Sequence, residues 1–329
     1  MRSSVGAAAI LLLGLACAGS APRAPREPFD AQGHRGARGL LPENTLPAFR
    51  RALELGVSTL ELDTGVTADG VIVVSHNRRL SGEICLGPAG ERLANEEGPL
   101  IRDLTLAEVR RFDCGSLNPS RRRFPEPPRQ NLPGTPVPTL AEVFELADDL
   151  DPKVRLNIEM KVDPTVDETL PLEQFAAAMV DLVVEHGVVE RAIIQCFDWR
   201  GLELVKSRRP ELTTAALLSP ETLDGGGPSP WLNGLSLDAA GGTSLDLVAG
   251  ARGYVDIFSP YWRQVTPGAW GYLDSTVEEI QAAGFPVVPW TVNSAERIEG
   301  TLDLGVDGLI SDYPDRLLEI LRRRGIRVL

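Results

Sequence analysis

The amino-acid sequence predicts an α/β fold, a single TIM (β/α)₈ barrel over residues 29–329. Eight short apolar runs rich in β-branched residues alternate with helical patterns along this stretch. These runs lack the polar–apolar alternation of a half-exposed sheet, which is typical of strands buried on both faces. An open doubly wound sheet is the alternative that strand counting leaves open. The predicted strands are 31–33, 59–63, 155–160, 192–196, 214–218, 255–258, 287–290 and 308–310.

The segment before the barrel has the pattern of an export signal. Arg2 precedes an apolar run over residues 5–16, which is too short for a bilayer span of about 20 residues. Small residues follow, so residues 1–18 are predicted to be a signal peptide. Its end has two interpretations, cleavage after Ala18 or lipidation of Cys17 as in bacterial lipoproteins. Residues 19–28 are rich in proline and predict an extended tether. We therefore expect an exported protein, periplasmic or secreted, with or without a lipid anchor.

The helices between the strands carry start and stop signals. Two segments, 139–142 and 275–278, read as capping boxes, in which a hydroxyl and a carboxylate satisfy free helical amides. Gly56 and Gly284 stand where a left-handed turn would end a helix. Pro314 is placed in a first helical turn, where its missing N–H has no consequence.

An insertion interrupts the barrel after the second strand. Residues 66–74 predict a hairpin with its turn at Asp69-Gly70. Residues 116–136 contain six prolines and predict a long surface excursion. Cys85 and Cys114 lie in polar loops, and the spacing of the cysteines does not fit a zinc site. In an oxidising compartment, a disulfide between these two is the natural interpretation.

Charge and motifs exclude several function classes. A formal charge of −13 argues against a nucleic-acid partner and against attraction to anionic membranes, so membrane contact is expected only through an anchor at Cys17. The sequence has no nucleophile-elbow, P-loop, zinc-protease or dinucleotide-binding motif. A small-molecule substrate is therefore expected; the oligomeric state is left open.

Charged residues and two of the three histidines follow the predicted strands. Carboxyl ends of barrel strands carry the active site in enzymes of this fold, and residues two apart in a strand share a face. Each residue alone has a structural interpretation, as a loop hydrogen bond or an ion pair, but their joint placement favours one site. The third histidine, His186, is expected to have only a structural role, in which its charge interacts favourably with the carboxyl end of a helix. The candidates are His34, Arg35, Glu61, Asp63, His76, Glu159 and Lys161.

These residue types suit the cleavage of a phosphodiester. The carboxylates Glu61, Asp63 and Glu159 form an all-oxygen set that favours Ca²⁺ or Mg²⁺. Two cations beside it would neutralise an anion, and two histidines can serve as general acid and base.

His34-Arg35-Gly36 and Pro42-Glu43-Asn44-Thr45 come first in the chain, followed by the Glu-x-Asp strand, the hairpin ending in histidine and the Glu-x-Lys strand. This order of motifs resembles the glycerophosphodiester phosphodiesterases, whose barrel is related to that of phosphatidylinositol-specific phospholipases C. The resemblance continues through 137–142, 289–293 and 305–314, and so covers nearly all of the chain after residue 29.

The resemblance implies a role for each matching residue. It implies one divalent cation on Glu61, Asp63 and Glu159, catalysis by His34 and His76, and phosphate contacts by Arg35 and Lys161. It further implies support by Glu43 and Asn44 and an aromatic wall at Trp290 beside a glycerol pocket. Two departures stand out: Asn77 replaces the aspartate that usually follows the hairpin histidine, and Cys85 lies where threonine and glycine are common.

The expected activity is metal-dependent hydrolysis of deacylated phospholipids to sn-glycerol 3-phosphate and an alcohol. By analogy with the family, a neighbouring glycerol hydroxyl attacks phosphorus first and water opens the cyclic phosphate. Two alternatives remain: a related phospholipase- or sphingomyelinase-D-like enzyme of the same barrel acting on intact lipids, and, as a different class, a non-catalytic surface binding protein on the same scaffold. The preferred headgroup, the choice of cation and the assignment of base and acid stay open at this point.

Overall fold

The computed structural model describes residues 22–94, 98–117, 129–269, 271–272 and 274–329. The predicted signal peptide, including Cys17, lies outside the described residues, as do residues 19–21 of the tether and most of the proline-rich excursion. In the described part of the chain, no helix combines the length and the apolar character needed to span a membrane.

Within the described residues, seven strands form one parallel sheet, and an eighth adds an antiparallel arm. The order in the sheet is β7-β6-β5-β4-β2-β1-β8, and β3 pairs with the far end of β2. Seven of the eight predicted strands are present, two with the predicted bounds (155–160 and 192–196) and five with ends shifted by one to three residues. The strands are β1 (Asp30–Gly33), β2 (Thr59–Val66), β3 (Ile72–Val74), β4 (Arg155–Met160), β5 (Ala192–Cys196), β6 (Thr213–Leu218), β7 (Ile257–Pro260) and β8 (Gly308–Ser311).

The remaining predicted strand, residues 287–290, closes the ring between β7 and β8. The Val288 amide donates to the Phe258 carbonyl at 3.0 Å, and the Ile310 amide donates to the Pro289 carbonyl at 3.1 Å. Proline has no N–H to donate, which is why this segment forms isolated bridges instead of a continuous ladder. The (β/α)₈ prediction is confirmed, and the open sheet is not what the chain forms.

The helices cover the outside of the barrel, where most of the apolar core lies between helices and strands. Most helix boundaries lie where the sequence signals predicted them. Gly56 and Gly284 follow helices in the left-handed conformation, with φ of 92° and 95°, and Pro314 begins the last helix. The α-helices are α1 (Leu46–Leu55), α2 (Leu106–Val109), α3 (Leu140–Leu150), α4 (Leu172–Glu185), α5 (Trp199–Arg208), α6 (Leu237–Ala240), α7 (Ser244–Gly250), α8 (Val277–Ala282), α9 (Ala295–Leu302) and α10 (Pro314–Arg323).

One capping box is as predicted and the other is shifted by one residue. Thr139 caps α3 with Glu142, but Thr276 and Glu279, not Ser275 and Glu278, form the box at α8. Both pairs fit the spacing in the sequence. The tertiary structure decides between them because the Ser275 hydroxyl accepts a hydrogen bond from the Leu245 amide at 3.0 Å.

The insertion after β2 has its own small core. The predicted hairpin is present, since residues 64–66 of β2 pair with β3. Cys85 and Cys114, the pair expected from the sequence, are joined by a disulfide across a separation of 29 residues. Both sulfurs lie in a satellite apolar cluster beneath β3, which we call the insertion core. Its buried members are Val73, Leu80, Cys85, Ile101, Val109, Phe112, Cys114 and Val137.

Residues 22–28 of the predicted tether lie against the barrel. The Arg23 amide donates to the Asp303 carbonyl at 2.8 Å, and the Arg23 and Arg26 side chains lie 3.7 Å from Glu278 and Asp307. This part of the tether therefore packs on the folded domain, because the loop after α9 offers carbonyl groups that an extended segment can pair with.

Candidate active site

A cavity of about 300 Å³ opens at the carboxyl ends of the barrel strands. Six of the predicted site residues meet there, together with Trp290. The cavity is lined by His34, Arg35, Arg38, Glu61, His76, Glu159, Lys161, Gln195, Phe197, Leu217, Trp290, Thr291 and Ile310. Asp63 is 1% exposed and lies behind this surface, next to the other two carboxylates.

His34 follows β1 and is held by a carboxylate from the far end of the chain. Its Nδ1 lies 2.5 Å from Oδ1 of Asp312, and the Asn293 amide donates to the other oxygen at 2.7 Å. Burial lowers the pKa of His34, and the charge of Asp312 opposes this shift. Although burial alone would raise the pKa of Asp312, the charges of Arg38 and His34 hold it well below its usual range. Asp312 is therefore an ionised partner for one imidazole nitrogen.

His76 ends the hairpin arm and reaches the same cavity. Its Nδ1 lies 2.7 Å from Oδ1 of the neighbouring Asn77, so the residue that replaces the family's usual aspartate still contacts the ring. Burial lowers the pKa of His76 well below its ordinary value, and the charges of Arg35 and Lys161 lower it further. The imidazole is therefore neutral near pH 7.

Three carboxylates converge between the histidines. Asp63 of β2 stands opposite Glu159 of β4 in register, and Glu61 lies two residues before Asp63 on the same face. One oxygen from each lies within 4.8 Å of the others. Burial and the charge of Asp63 raise the pKa of Glu61 well above its usual range, and burial raises that of Glu159 to about 7 against the opposing charge of Lys161. Such crowded oxygens can hold a divalent cation, which would remove the repulsion.

Arg35 and Asn44 hold Asp63 in place. The Arg35 Nε lies 3.0 Å from Oδ2 of Asp63, and the Asn44 amide donates to the same oxygen at 2.8 Å. The Arg35 backbone N–H donates to Glu61 at 2.9 Å. Burial alone would raise the pKa of Asp63, but the charges of Arg35, His76 and Lys161 hold it well below its usual range. Asp63 is thus the firmly ionised member of the three.

Glu43 joins two arginines beside the cavity. Its two carboxylate oxygens accept from Arg35 and from Arg38, each at 2.6 Å. Burial favours its neutral form, but Arg38 and Arg35 hold its pKa well below the ordinary value. Glu43 therefore fixes the guanidinium of Arg35 from the side away from Asp63.

Part of the cavity wall is aromatic. The Trp290 indole N–H donates to the Ser259 carbonyl at 2.8 Å, which orients the ring. Phe197 meets Trp290 edge-on with centroids 5.5 Å apart, and the Lys161 Nζ lies 5.7 Å from the Phe197 centroid and 2.9 Å from Glu159. The cavity thus combines charged groups with an aromatic surface, and Lys161 lies where the two meet.

Several residues with clear roles in this geometry were missed from the sequence. Asp312 and Asn293 lie inside the segments that carry the family resemblance, but nothing in their local pattern indicates that they hold His34. Gln195 and Phe197 lie at the carboxyl end of β5. This position at a strand end was the one signal in the sequence that could have marked them as site residues. His186 lies apart at the end of α4, edge-on to Phe144, in agreement with its expected structural role.

Comparisons with known proteins agree with this geometry. A family model described as the glycerophosphoryl diester phosphodiesterase family matches residues 34–316. The chain belongs to this family. It is 30% identical over 296 residues to the glycerophosphodiester phosphodiesterase of Caldanaerobacter subterraneus subsp. tengcongensis, covering 89% of this chain and 97% of that relative.

Solved structures give the same result for the fold. A crystal structure of a candidate glycerophosphoryl diester phosphodiesterase from Silicibacter pomeroyi DSS-3 is 32% identical, with a TM-score of 0.78 and coverage of 93% of this chain and 97% of that one. A phosphodiesterase of Oleispira antarctica, solved with the product sn-glycerol-3-phosphate, is 22% identical with a TM-score of 0.64 and coverage of 89% and 96%. At that identity, the second likeness concerns the fold alone.

Proposed function

We propose that the protein hydrolyses glycerophosphodiesters to sn-glycerol 3-phosphate and an alcohol. The observation that carries this proposal is the meeting of two histidines, two cations and the carboxylates Glu61 and Glu159 in one cavity of about 300 Å³, with Asp63 directly behind its surface. Membership in the glycerophosphoryl diester phosphodiesterase family supports the substrate class, since relatives across the whole domain bear that name.

Glu61, Asp63 and Glu159 are proposed to hold one Ca²⁺ or Mg²⁺ ion. All three donors are carboxylates, which both cations accept and which zinc sites seldom use alone. When bound, the ion supplies a positive centre that stabilises the charge developing on the phosphate oxygens.

Arg35 and Lys161 bind the phosphate from the protein side. Both line the cavity next to the carboxylates, and the bridge from Glu43 to Arg35 keeps the guanidinium from turning away. Trp290 and Phe197 also line the cavity, and their apolar surface suits the carbon skeleton of glycerol. These two kinds of surface orient the diester, with its phosphorus toward the charges and its glycerol toward the rings.

His34 and His76 transfer the protons. One accepts the proton of the glycerol hydroxyl next to the phosphoester as that oxygen attacks phosphorus, and the other donates a proton to the departing alcohol. The product of this step is a cyclic phosphate. In the second step, the histidines exchange roles: one takes a proton from water, and the other protonates the ring oxygen that leaves. The net result is one water consumed and sn-glycerol 3-phosphate released.

Hydrolysis of glycerophosphocholine by metal-free protein is the direct test. Phosphorus NMR should show sn-glycerol 3-phosphate only after Ca²⁺ or Mg²⁺ is added, and excess chelator should stop the reaction. Lysophosphatidylcholine and sphingomyelin serve as lipid substrates for comparison. Full activity in protein shown to be free of metal would refute the cation assignment, and faster cleavage of either lipid would refute the substrate class.

The three ligands can be tested one at a time. Glu61→Gln, Asp63→Asn and Glu159→Gln keep the shape of each side chain but remove its charge, so each should abolish metal-dependent activity. Glu142→Gln is a matched control, because this carboxylate caps α3, pairs with Arg110 at 2.6 Å and lies outside the cavity. Far-UV circular dichroism should be unchanged in all four variants.

We also propose that the protein is exported, with removal of residues 1–18 or lipidation at Cys17. The Cys85–Cys114 disulfide supports this proposal, because such bonds persist in oxidising compartments. Mass spectrometry of the mature amino terminus in a bacterial host distinguishes cleavage before Gly19 from a lipid-modified Cys17. An intact amino terminus would contradict both.

A further inference from the structure

Three neutral amide side chains lie in the middle of the barrel, and one of them, Gln195, reaches the catalytic cavity. Gln32 of β1, Asn157 of β4 and Gln195 of β5 are 1–2% exposed. The roles proposed above use none of them. Since buried polar groups are retained only with partners, their hydrogen bonds show what they do.

The hydrogen bonds within this group run in a fixed direction. The Asn157 Nδ2 donates to Oε1 of Gln32 at 2.8 Å and to Oε1 of Gln195 at 3.2 Å. Because both glutamine carbonyls face Asn157, both NH₂ groups must point away from it. The Gln195 Nε2 donates to Oε1 of Glu61 at 2.7 Å, and the Gln32 Nε2 donates to Oδ2 of Asp30 at 2.7 Å.

The lower end of the chain is anchored at Asp30. This carboxylate also accepts from the hydroxyls of Thr59 at 2.5 Å and Ser58 at 2.9 Å, and Arg155 lies 3.3 Å from it. A carboxylate with these partners only accepts hydrogen bonds, so Gln32 must present its NH₂ group there.

Asn157 is held in one orientation as a consequence. If its amide were turned around, its carbonyl would face the carbonyls of both glutamines. In the observed orientation, its own Oδ1 has no hydrogen-bond partner in the part of the chain that the structure describes. The Asn157 side chain therefore leaves its buried carbonyl oxygen unsatisfied while its NH₂ group makes both hydrogen bonds to the glutamines.

We propose that Gln195 is a positioning residue for the cation ligand Glu61 and that Asn157 fixes the orientation of its amide. The Gln195 N–H occupies one lone pair of Oε1, and the Arg35 N–H occupies one of Oε2 at 2.9 Å. Held at both oxygens, the carboxylate turns its remaining lone pairs toward Asp63 and Glu159. This inference rests on the proposed function, because it assigns the cation to these carboxylates.

Direct calorimetric titration of metal-free, full-length protein with MgCl₂ and with CaCl₂ tests the proposal without relying on turnover. Gln195→Met keeps the length of the side chain and removes the donor, so affinity should fall by about 10–100-fold, as it does when a ligand loses its outer partner. Unchanged affinity for both ions in this variant, with the wild type binding normally, overturns the positioning role alone.

Gln281→Met is the matched control. Gln281 is also a buried glutamine that donates to a carboxylate, Asp307, at 2.8 Å, but it lies outside the cavity. Its variant should bind both ions like the wild type. An equal loss of affinity in this control overturns the specific role of Gln195.

Asn157→Leu tests the orientation step. It should lower affinity about threefold to tenfold, less than loss of the direct partner. The double variant with Gln195→Met should be no weaker than Gln195→Met alone, because both changes act through one hydrogen bond. Additive losses in the double variant would overturn the proposal that Asn157 acts through Gln195. If Gln195→Met does not fold, normal affinity of Asn157→Leu for both ions would overturn it instead. If the wild type binds neither ion, the cation assignment fails and this inference fails with it.

Discussion

The two histidines of the cavity are held in different ways. His34 contacts Asp312, a carboxylate 278 positions away that is held ionised. His76 contacts the amide of Asn77, its immediate neighbour, which carries no charge. The first imidazole therefore has a partner that stabilises its protonated form, and the second has a partner that only orients the ring.

Their supports differ as well. His34 lies at the end of β1, where parallel pairing with β2 and β8 fixes the backbone from both sides. His76 lies on the arm that follows β3, which pairs with β2 and packs on the insertion core with its disulfide. Closure of the barrel therefore positions one histidine, and a local insertion positions the other.

The largest expected effect tests whether both histidines take part in the chemistry. His34→Ala and His76→Ala should each lower kcat by about 10²–10⁴, the usual contribution of a general acid or base. His186→Ala, at the end of α4, should leave kcat unchanged. Steady-state hydrolysis of glycerophosphocholine measures kcat for all three variants. Near-normal turnover in His34→Ala or His76→Ala would show that this histidine takes no part in the chemistry.

The second effect tests the support of His76. Replacing Cys85 and Cys114 by alanine opens a loop of 29 residues, which should lower the free energy of unfolding by about 3–4 kcal/mol in the chain-entropy model. Denaturant unfolding measures this value, and reduction of the wild type should reproduce it. Cys196→Ala replaces a buried free thiol and is the control for losing a sulfur. An unchanged midpoint in the double variant would show that the insertion core does not depend on the bond.

The third effect tests the charged partner. Asp312→Asn keeps the size of the side chain but removes the charge that favours protonated His34. We expect kcat to fall by about 10–10²-fold, a part of the full acid–base contribution, with KM nearly constant. Asn77→Ala should cost less, because only orientation is lost. Equal losses in these two variants would contradict the difference between the histidines.

The smallest effect tests the neutral partner. Asn77→Asp places a negative charge beside His76. The pKa of this histidine is held low by burial and by the charges of Arg35 and Lys161. Because an adjacent anion favours the protonated imidazole, the pKa of His76 should rise. One limb of the kcat–pH profile should move to higher pH, and the limb that belongs to His34 should stay. A profile identical to the wild type would show that Asn77 does not control His76.

Much of this arrangement is determined by the sequence alone. Eight apolar runs spaced by helical patterns specify the barrel, since strands buried on both faces need continuous apolar character. The spacing of two between Glu61 and Asp63, and between Glu159 and Lys161, puts each pair on one face of its strand. Carboxyl ends of parallel strands share one edge, so the convergence of these side chains follows from local pattern and fold class together.

Other features are decided only by the tertiary structure. The spacing rules fit Ser275 as well as Thr276, and the amide of Leu245 makes the choice. Asp312 reaches His34 because the last strand pairs with the first, and Gln195 reaches Glu61 across the barrel interior. Hydrogen-bond partners far apart in the chain leave no local periodicity in the sequence. They depend on which polar groups the folded barrel brings within about 3 Å of each other, away from water.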